Sequence, residues 1–213
     1  MKTGIIFDMD GTLWDSSENV AKSWDDVVQK ENCGLRRITA EDIQNVMGHT
    51  MTEIAEMIFP MLDRQEAIAL TDRCCVAENA YLRTHGGSLY PNLEKTLNAL
   101  AKVYPLYIVS NCQKGYIEAF LDYYHFWDYI EDIECFGNNG REKAYNIRQT
   151  AERNHLERAV YVGDIQGDYD AAKKAGADFI HAAYGFGSII EDVPAIRAFD
   201  ELPEVLAEFF GDY

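Results

Sequence analysis

Positive charge is in short supply in this sequence: 19 Lys and Arg stand against 36 Asp and Glu, a formal net charge of −17. A nucleic-acid backbone or an anionic bilayer demands clustered cations, so a general surface for either is excluded. The same balance repels small anions at long range, although salt screens most of that beyond about 10 Å. An anionic substrate therefore needs a local cation inside its site. Long apolar runs are missing too: none approaches the roughly 18 residues that suggest a membrane helix. The start, Met1-Lys2-Thr3-Gly4, runs into apolar sequence without a cleavable signal pattern. The five cysteines (Cys33, Cys74, Cys75, Cys112 and Cys135) show no C-x-x-C spacing, and two are adjacent. That suits neither a disulfide framework nor a zinc site. Reduced thiols in a cytoplasmic protein are the expectation.

What is present is enough for a sizeable core. The chain has 213 residues, 47% of them hydrophobic and 12% aromatic, as in folded globular proteins. Ile5-Ile6-Phe7 reads as a short buried strand, and four further apolar segments repeat the theme: Leu106–Val109, Ile130–Phe136, Ala159–Val162 and Phe179–Ala182. Helical spacing fills the intervals over Leu93–Tyr104, Tyr116–Tyr124, Lys143–Asn154 and Tyr169–Ala175, and Pro203–Phe210 reads as a terminal amphipathic helix. Strand and helix alternating in this way predict an α/β fold on a mainly parallel sheet. Right-handed crossovers then gather every strand's carboxyl end on one edge, where ligands bind in such sheets.

Residues 16–87 break the alternation. Only helical patterns occur there, such as Val20/Trp24/Val27/Val28 and Ile54/Met57/Ile58, closed by Gly86-Gly87 and Pro91. The expectation is a helical cap over 16–87, inserted into a core of 1–15 and 88–213, with hinges near 13–16 and 86–91. The alternative is that these helices simply pack on the sheet face.

The polar residues after the strands carry the chemistry. Asp8 and Asp10 follow the first strand two residues apart, on the same side if the chain stays extended, with Gly11 breaking the strand behind them. A surface loop with two solvated acids fits the segment equally well. Ser110-Asn111 offers uncharged hydrogen-bonding groups for a phosphate, or an ordinary turn. Lys143 opens a helix, where the dipole disfavours it, so either an anion sits near it or solvent surrounds it. Gly163-Asp164-Ile165-Gln166-Gly167-Asp168 repeats the strand, glycine and carboxylate logic, with Asp168 as a helix N-cap in the plain reading. Taken together, these acids beside a phosphomonoester repel strongly: unit charges 4 Å apart at an effective dielectric near 20 cost about 4 kcal/mol per pair. A bound hard cation reconciles them, and Mg2+ suits carboxylate, carbonyl and water ligands.

Asp8-Met9-Asp10-Gly11-Thr12, Ser110-Asn111, Lys143 and Gly163-Asp164-x-x-x-Asp168 resemble, in order, the four motifs of the haloacid dehalogenase-like superfamily. The likeness is greatest to its phosphoglycolate phosphatase-like branch with a C1-type helical cap. The resemblance implies a three-layer Rossmann-like core with an all-helical cap. It implies a Mg2+-dependent phosphatase of a small phosphorylated metabolite, monomeric or a weak homodimer. Asp8 would be the nucleophile that forms an aspartyl phosphate, and Asp10 the acid and base. Asp8, the Asp10 backbone carbonyl and Asp164 would hold the metal, with Asp168 behind them. Ser110, Asn111, Lys143 and backbone N–H groups from Met9 to Gly11 would bind phosphoryl oxygens. Asp10 speaks against dehalogenases and phosphonate hydrolases, which usually lack that acid. A phosphosugar mutase of the β-phosphoglucomutase kind is the alternative. The positions where such mutases typically carry His and Arg read Val20 and Gly48-His49-Thr50-Met51 here. A receiver-like module also places acids at a sheet edge, but the insert, Asp10 beside Asp8 and the remote Lys143 disfavour it. Within the insert, Gly48–Glu53 is either a specificity loop or a helix–helix turn. Arg36 and Arg37 are candidates for a substrate carboxylate or plain surface, and Trp14 and Trp24 either line a cavity or pack.

Overall fold

Parallel strands buried on both faces need apolar residues at every position, and the central strand β1 (Thr3–Phe7) meets that demand: Ile5, Ile6 and Phe7 are wholly buried. The computed structural model describes residues 2–31 and 34–210; Cys33, expected to be a reduced thiol, lies outside them. Among the described residues Cys75, Cys112 and Cys135 are free thiols and, like Cys74, are buried, and no helix is long and apolar enough to cross a membrane.

After β1 the chain forms β2 (Trp14–Asp15), then α1 (Ser17–Lys30), α2 (Ala40–Gln44), α3 (Met51–Ile58) and α4 (Arg64–His85), and returns through β3 (Ser88–Leu89). It continues as α5 (Leu93–Leu100), β4 (Leu106–Ser110), α6 (Tyr116–Tyr124), β5 (Asp132–Cys135), α7 (Phe136–Asn139) and α8 (Lys143–Arg153). The last elements are β6 (Arg158–Gly163), α9 (Gln166–Ala175), β7 (Asp178–Ala182), β8 (Ala195–Ile196) and α10 (Leu202–Phe210). The main sheet is six-stranded in the order β5-β4-β1-β6-β7-β8, with every neighbouring pair parallel. The chain runs outward from β1 to β4 and β5, then returns to β6 on β1's other side. That reversal makes the carboxyl ends of β1, β4 and β6 the natural crevice.

Alternate residues of each strand feed different layers. Ile5, Phe7, Ile108, Val160 and Val162 join one apolar cluster. Ile6, Tyr107, Val109 and Tyr161 join the other, with Ala144 and Ile147 of α8 and Ala171 and Ala172 of α9. The result is the α/β arrangement expected from the alternation of strands and helices, in the three layers that the resemblance implies.

The four inserted helices show their own start signals. Thr39 with Asp42 and Thr50 with Glu53 form capping boxes for α2 and α3, and Asp63 caps α4. α4 packs against α1 and α3 and also against α6 of the core. The first apolar cluster runs without a break from β1 into Trp24, Ile54 and Leu70 of the insert. At its base, β2 and β3 pair antiparallel through Trp14 with Leu89 and Asp15 with Ser88, where the hinges were expected. Trp14 is packing: it is fully buried and meets Tyr116, Phe120 and Tyr124 edge-on at centroid distances of 5.6, 5.0 and 6.2 Å.

Candidate active site

Four buried ionisable side chains converge at the carboxyl ends of β1 and β6 and the starts of α8 and α9. Lys143 Nζ donates to Asp8 Oδ1 at 2.9 Å and to Asp168 Oδ1 at 2.6 Å, with all three side chains nearly inaccessible. Asp8, Asp164 and Asp168 each offer a carboxylate oxygen within 4.8 Å of the others. The dipole argument for Lys143 thus resolves in favour of an anionic neighbour, and a solvated lysine is ruled out. Burial works against its ammonium, but Asp168 and Asp8 outweigh that and raise its pKa. Burial pushes the Asp8 carboxyl up despite Lys143, and pushes Asp164 up with help from Asp168 and Asp8. Tyr161, reaching up from β6, donates to Asp8 Oδ1 at 3.3 Å and to the Val109 carbonyl at 2.7 Å.

Asp168 differs from the plain expectation of an N-cap. α9 starts at Gln166, so Asp168 is its third residue, and its Oδ2 accepts from the backbone N–H groups of Asp164 and Ile165 at 3.0 and 3.2 Å. With Oδ1 on Lys143, both of its oxygens are engaged. It therefore fixes the loop that carries Asp164 and the lysine that meets Asp8.

Asp10 does not share Asp8's surroundings, because β1 stops at Phe7 and the period-two argument no longer applies beyond it. The N–H groups of Thr12, Leu13 and Trp14 all turn back to the Met9 carbonyl, and Gly11 N–H is taken by the Trp14 carbonyl. Gly11 N–H is thus not free to face a phosphate as expected. The Asp10 carboxylate accepts from Ser16 Oγ at 2.9 Å and from Tyr116 Oη at 2.6 Å. Its side chain is outside the three-acid cluster. Burial raises its pKa to about 7, against the lowering effect of the Tyr116 hydrogen bond.

On that side a cleft opens between insert and core. Ser110 and Asn111 reach its wall from the end of β4, as do Val20, Trp24 and the Gly48-His49 turn from the insert. Asn111 Nδ2 donates to the Gly48 carbonyl at 2.8 Å, so one amide hydrogen of this expected phosphate ligand ties the insert to the core. Of the segment Gly48–Glu53, residues 48–50 are the turn that leads into α3 and Met51 to Glu53 are that helix's first residues, with Gly48, His49 and Met51 at the site. Gly48 has φ +87, and a Cβ there would stand 2.4 Å from the Ile165 side chain. Val20 supplies an apolar wall, and no arginine follows Gly48. Arg36 and Arg37 do not reach the site. They pair with Asp42 at 2.6 Å and Asp25 at 2.5 Å on the surface of the insert.

The sequence did not point to Tyr116, Ser16, Tyr161 or Glu78. Tyr116 and Tyr161 sit at positions where aromatic packing is the ordinary expectation. Glu78 carried a signal that went unread: Leu70, Cys74, Glu78 and Leu82 recur every fourth residue on the buried face of α4.

The acids fit a hard divalent cation. The cluster offers only oxygen donors, and three carboxylates face a single ammonium, leaving an uncompensated negative charge. The backbone also makes room beside Asp164: a Cβ on Gly11, where φ is +80, would lie 2.0 Å from Asp164 Oδ2, and one on Gly185 would lie 2.3 Å from Asp164 Cβ. Phe186 N–H steadies that Oδ2 at 2.8 Å.

The family model described as haloacid dehalogenase-like hydrolase matches residues 5–182. Among curated relatives, the phosphoglycolate phosphatase of Aquifex aeolicus is 26% identical over 196 residues, covering 89% of each chain. That of Photobacterium profundum is 27% identical over 198 residues, covering 85% of this chain and 83% of the other. A crystal structure described as a predicted phosphoglycolate phosphatase from Haemophilus somnus superposes with a TM-score of 0.81 at 20% identity, covering 96% and 98% of the two chains. A haloacid dehalogenase-like family protein of Streptococcus pneumoniae gives 0.79 at 24% identity and 98% coverage of both. At such identities the solved structures establish a shared fold.

Proposed function

This chain belongs to the haloacid dehalogenase-like hydrolase family, and from that premise we propose that it is a Mg2+-dependent phosphomonoesterase of a small phosphorylated metabolite, working through an aspartyl phosphate. One observation carries the reading. Asp8 is buried against Lys143, while Asp10, two residues on, is turned to the other side with its pKa near neutrality.

In this reading Asp8 attacks phosphorus and the ester P–O bond breaks. Asp10, which near neutral pH holds a proton in part of the population, passes it to the departing alcohol oxygen. Now ionised, Asp10 takes a proton from water as that water attacks the phosphoryl group on Asp8. Orthophosphate leaves, and both acids return to their starting state. Tyr116 and Ser16 hold Asp10 at the boundary between the acid cluster and the cleft, so the leaving group occupies the cleft. Lys143 faces the nucleophile and compensates phosphoryl charge, with Ser110 and the remaining Asn111 amide hydrogen beside it. Asp8, Asp164 and the Asp10 backbone carbonyl would hold the Mg2+, with Asp168 orienting from behind. When bound, the ion neutralises charge between carboxylates and phosphoryl oxygens that otherwise repel.

Residues 16–87 act as a cap in this account. The Asn111–Gly48 hydrogen bond closes it, the β2/β3 pair is its hinge, and closure keeps water from the acids. The test is turnover of p-nitrophenyl phosphate with Mg2+. Asp8→Asn should lower kcat by about a thousandfold or more while the circular dichroism spectrum stays unchanged, and EDTA should silence the parent enzyme. Undiminished turnover in Asp8→Asn rejects the assignment.

A further inference from the structure

The leaving-group cleft has an unusual charge. Its walls are mostly apolar, and the two formally charged side chains on them, Asp10 and Glu78, are both carboxylates. No Lys or Arg lines it among the described residues, and His49 stands half exposed at the rim, 3.8 Å from Glu53. The arginines of the insert are engaged elsewhere: Arg36 with Asp42, Arg37 with Asp25, Arg64 with Glu56, Arg73 with Glu31 and Arg83 with Asp122.

Glu78 is only 3% exposed, in line with Leu70, Cys74 and Leu82 on the buried face of α4. A carboxylate there is costly unless something meets it. Trp24 Nε1 donates to Oε2 at 2.5 Å, and Gln113 Nε2 donates to Oε1 at 3.0 Å. Burial raises the Glu78 pKa to about 7, so above that pH it is a carboxylate with about four acceptor sites, and these two donors leave capacity on a group that lines the cleft. A substrate supplies what is missing if its alcohol carries a donor. A substrate carboxylate would instead meet Glu78 and Asp10 across an apolar cleft, with no cation to receive it.

Resting on the phosphomonoesterase reading, we propose that Glu78 selects the leaving group. The favoured alcohol bears an ammonium or hydroxyl group close to the ester oxygen, and an alcohol bearing a carboxylate there is rejected. This separates the chain from the activity in its relatives' names, because phosphoglycolate places a carboxylate one carbon from the ester oxygen.

Three esters of matched size test it: 2-aminoethyl phosphate, 2-hydroxyethyl phosphate and phosphoglycolate, assayed for phosphate release with Mg2+ beside p-nitrophenyl phosphate at about pH 8, where Glu78 is mostly ionised. In the parent enzyme both donor-bearing esters should exceed phosphoglycolate in kcat/KM by about tenfold or more, mainly through KM. Whichever donor ester leads shows whether cation or neutral donor is preferred. In Glu78→Gln the ratio should fall to within about threefold of unity. The ratio is internal to each enzyme, so a purely structural role for Glu78 would lower all three rates together and leave it unmoved, which overturns the proposal. Phosphoglycolate equalling or beating the donor esters in the parent enzyme overturns it without recourse to the variant. If the aryl phosphate is cleaved while that order holds, this inference alone fails. If no ester is cleaved, the phosphomonoesterase reading falls and this inference with it.

Discussion

Replacing Lys143 by Met removes the one cation that the structure sets between Asp8 and Asp168, at 2.9 and 2.6 Å, and keeps an unbranched side chain in the cavity. Each attraction is about 6 kcal/mol at an effective dielectric of 20, but burying the ammonium offsets much of it. Breaking a buried pair by deleting one partner typically costs about 3–5 kcal/mol, because the remaining charge is left uncompensated. In a chain of this size that lowers the melting temperature by about 6–20 °C. The loss has a definite pH sign. Lys143 holds the raised pKa of Asp8 down, so deleting the cation raises it further and the folded variant binds more protons than its unfolded chain. Its penalty is complete above that folded pKa and fades as the solution is acidified. Melting curves followed by circular dichroism in EDTA, from about pH 5 to pH 8, should show the gap to the parent protein widening with pH. Added Mg2+ should then recover part of it, since the variant's acids lack their other counter-charge. A melting temperature within about 2 °C of the parent at the alkaline end would refute the placement of Lys143 among those carboxylates.

Glu78 gives a second pH effect away from the acid cluster. Burial raises its pKa from 4.5 to about 7, so the folded state binds the extra proton and its stability falls as pH rises through that window, by about 3 kcal/mol in all. Glu78→Gln lacks this slope, and urea titrations should show it gaining on the parent by that amount between about pH 5 and pH 8; parallel profiles would contradict the burial. Gly11→Ala places a Cβ 2.0 Å from Asp164 Oδ2 at φ +80. It should cost about 1–3 kcal/mol of stability and weaken Mg2+ binding by calorimetry, whereas unchanged affinity would mean the approach to Asp164 has no role.

The strands were legible because parallel strands leave no polar alternation to misread: Ile5–Phe7, Leu106–Val109 and Ala159–Val162 are apolar to the turn that ends them. α6 runs over Tyr116–Tyr124 as its spacing predicts. α9 begins three residues earlier than expected, since Asp168 binds back to the Ile165 N–H and draws Gln166 and Gly167 into the first turn. The acids and Lys143 could be read because each follows or opens an element at the sheet's carboxyl edge. Asp10's divergence from Asp8 could not, for it depends on where β1 stops and on Tyr116, distant in sequence. The arginine pairs of the insert were likewise hidden, as ion pairing follows tertiary placement rather than spacing. The cleft suffered most. Its walls are helix faces whose periodicity signals packing, and a single glutamate in that register has no local motif to mark it.

The most direct test of the nucleophile is to quench the Mg2+ enzyme with acid during turnover of a 32P-labelled phosphomonoester and map the label. The account predicts an acid-stable, hydroxylamine-sensitive phosphate on the peptide containing Asp8, absent from Asp8→Asn. Steady turnover with no covalent label, or with label on any other residue, would contradict it.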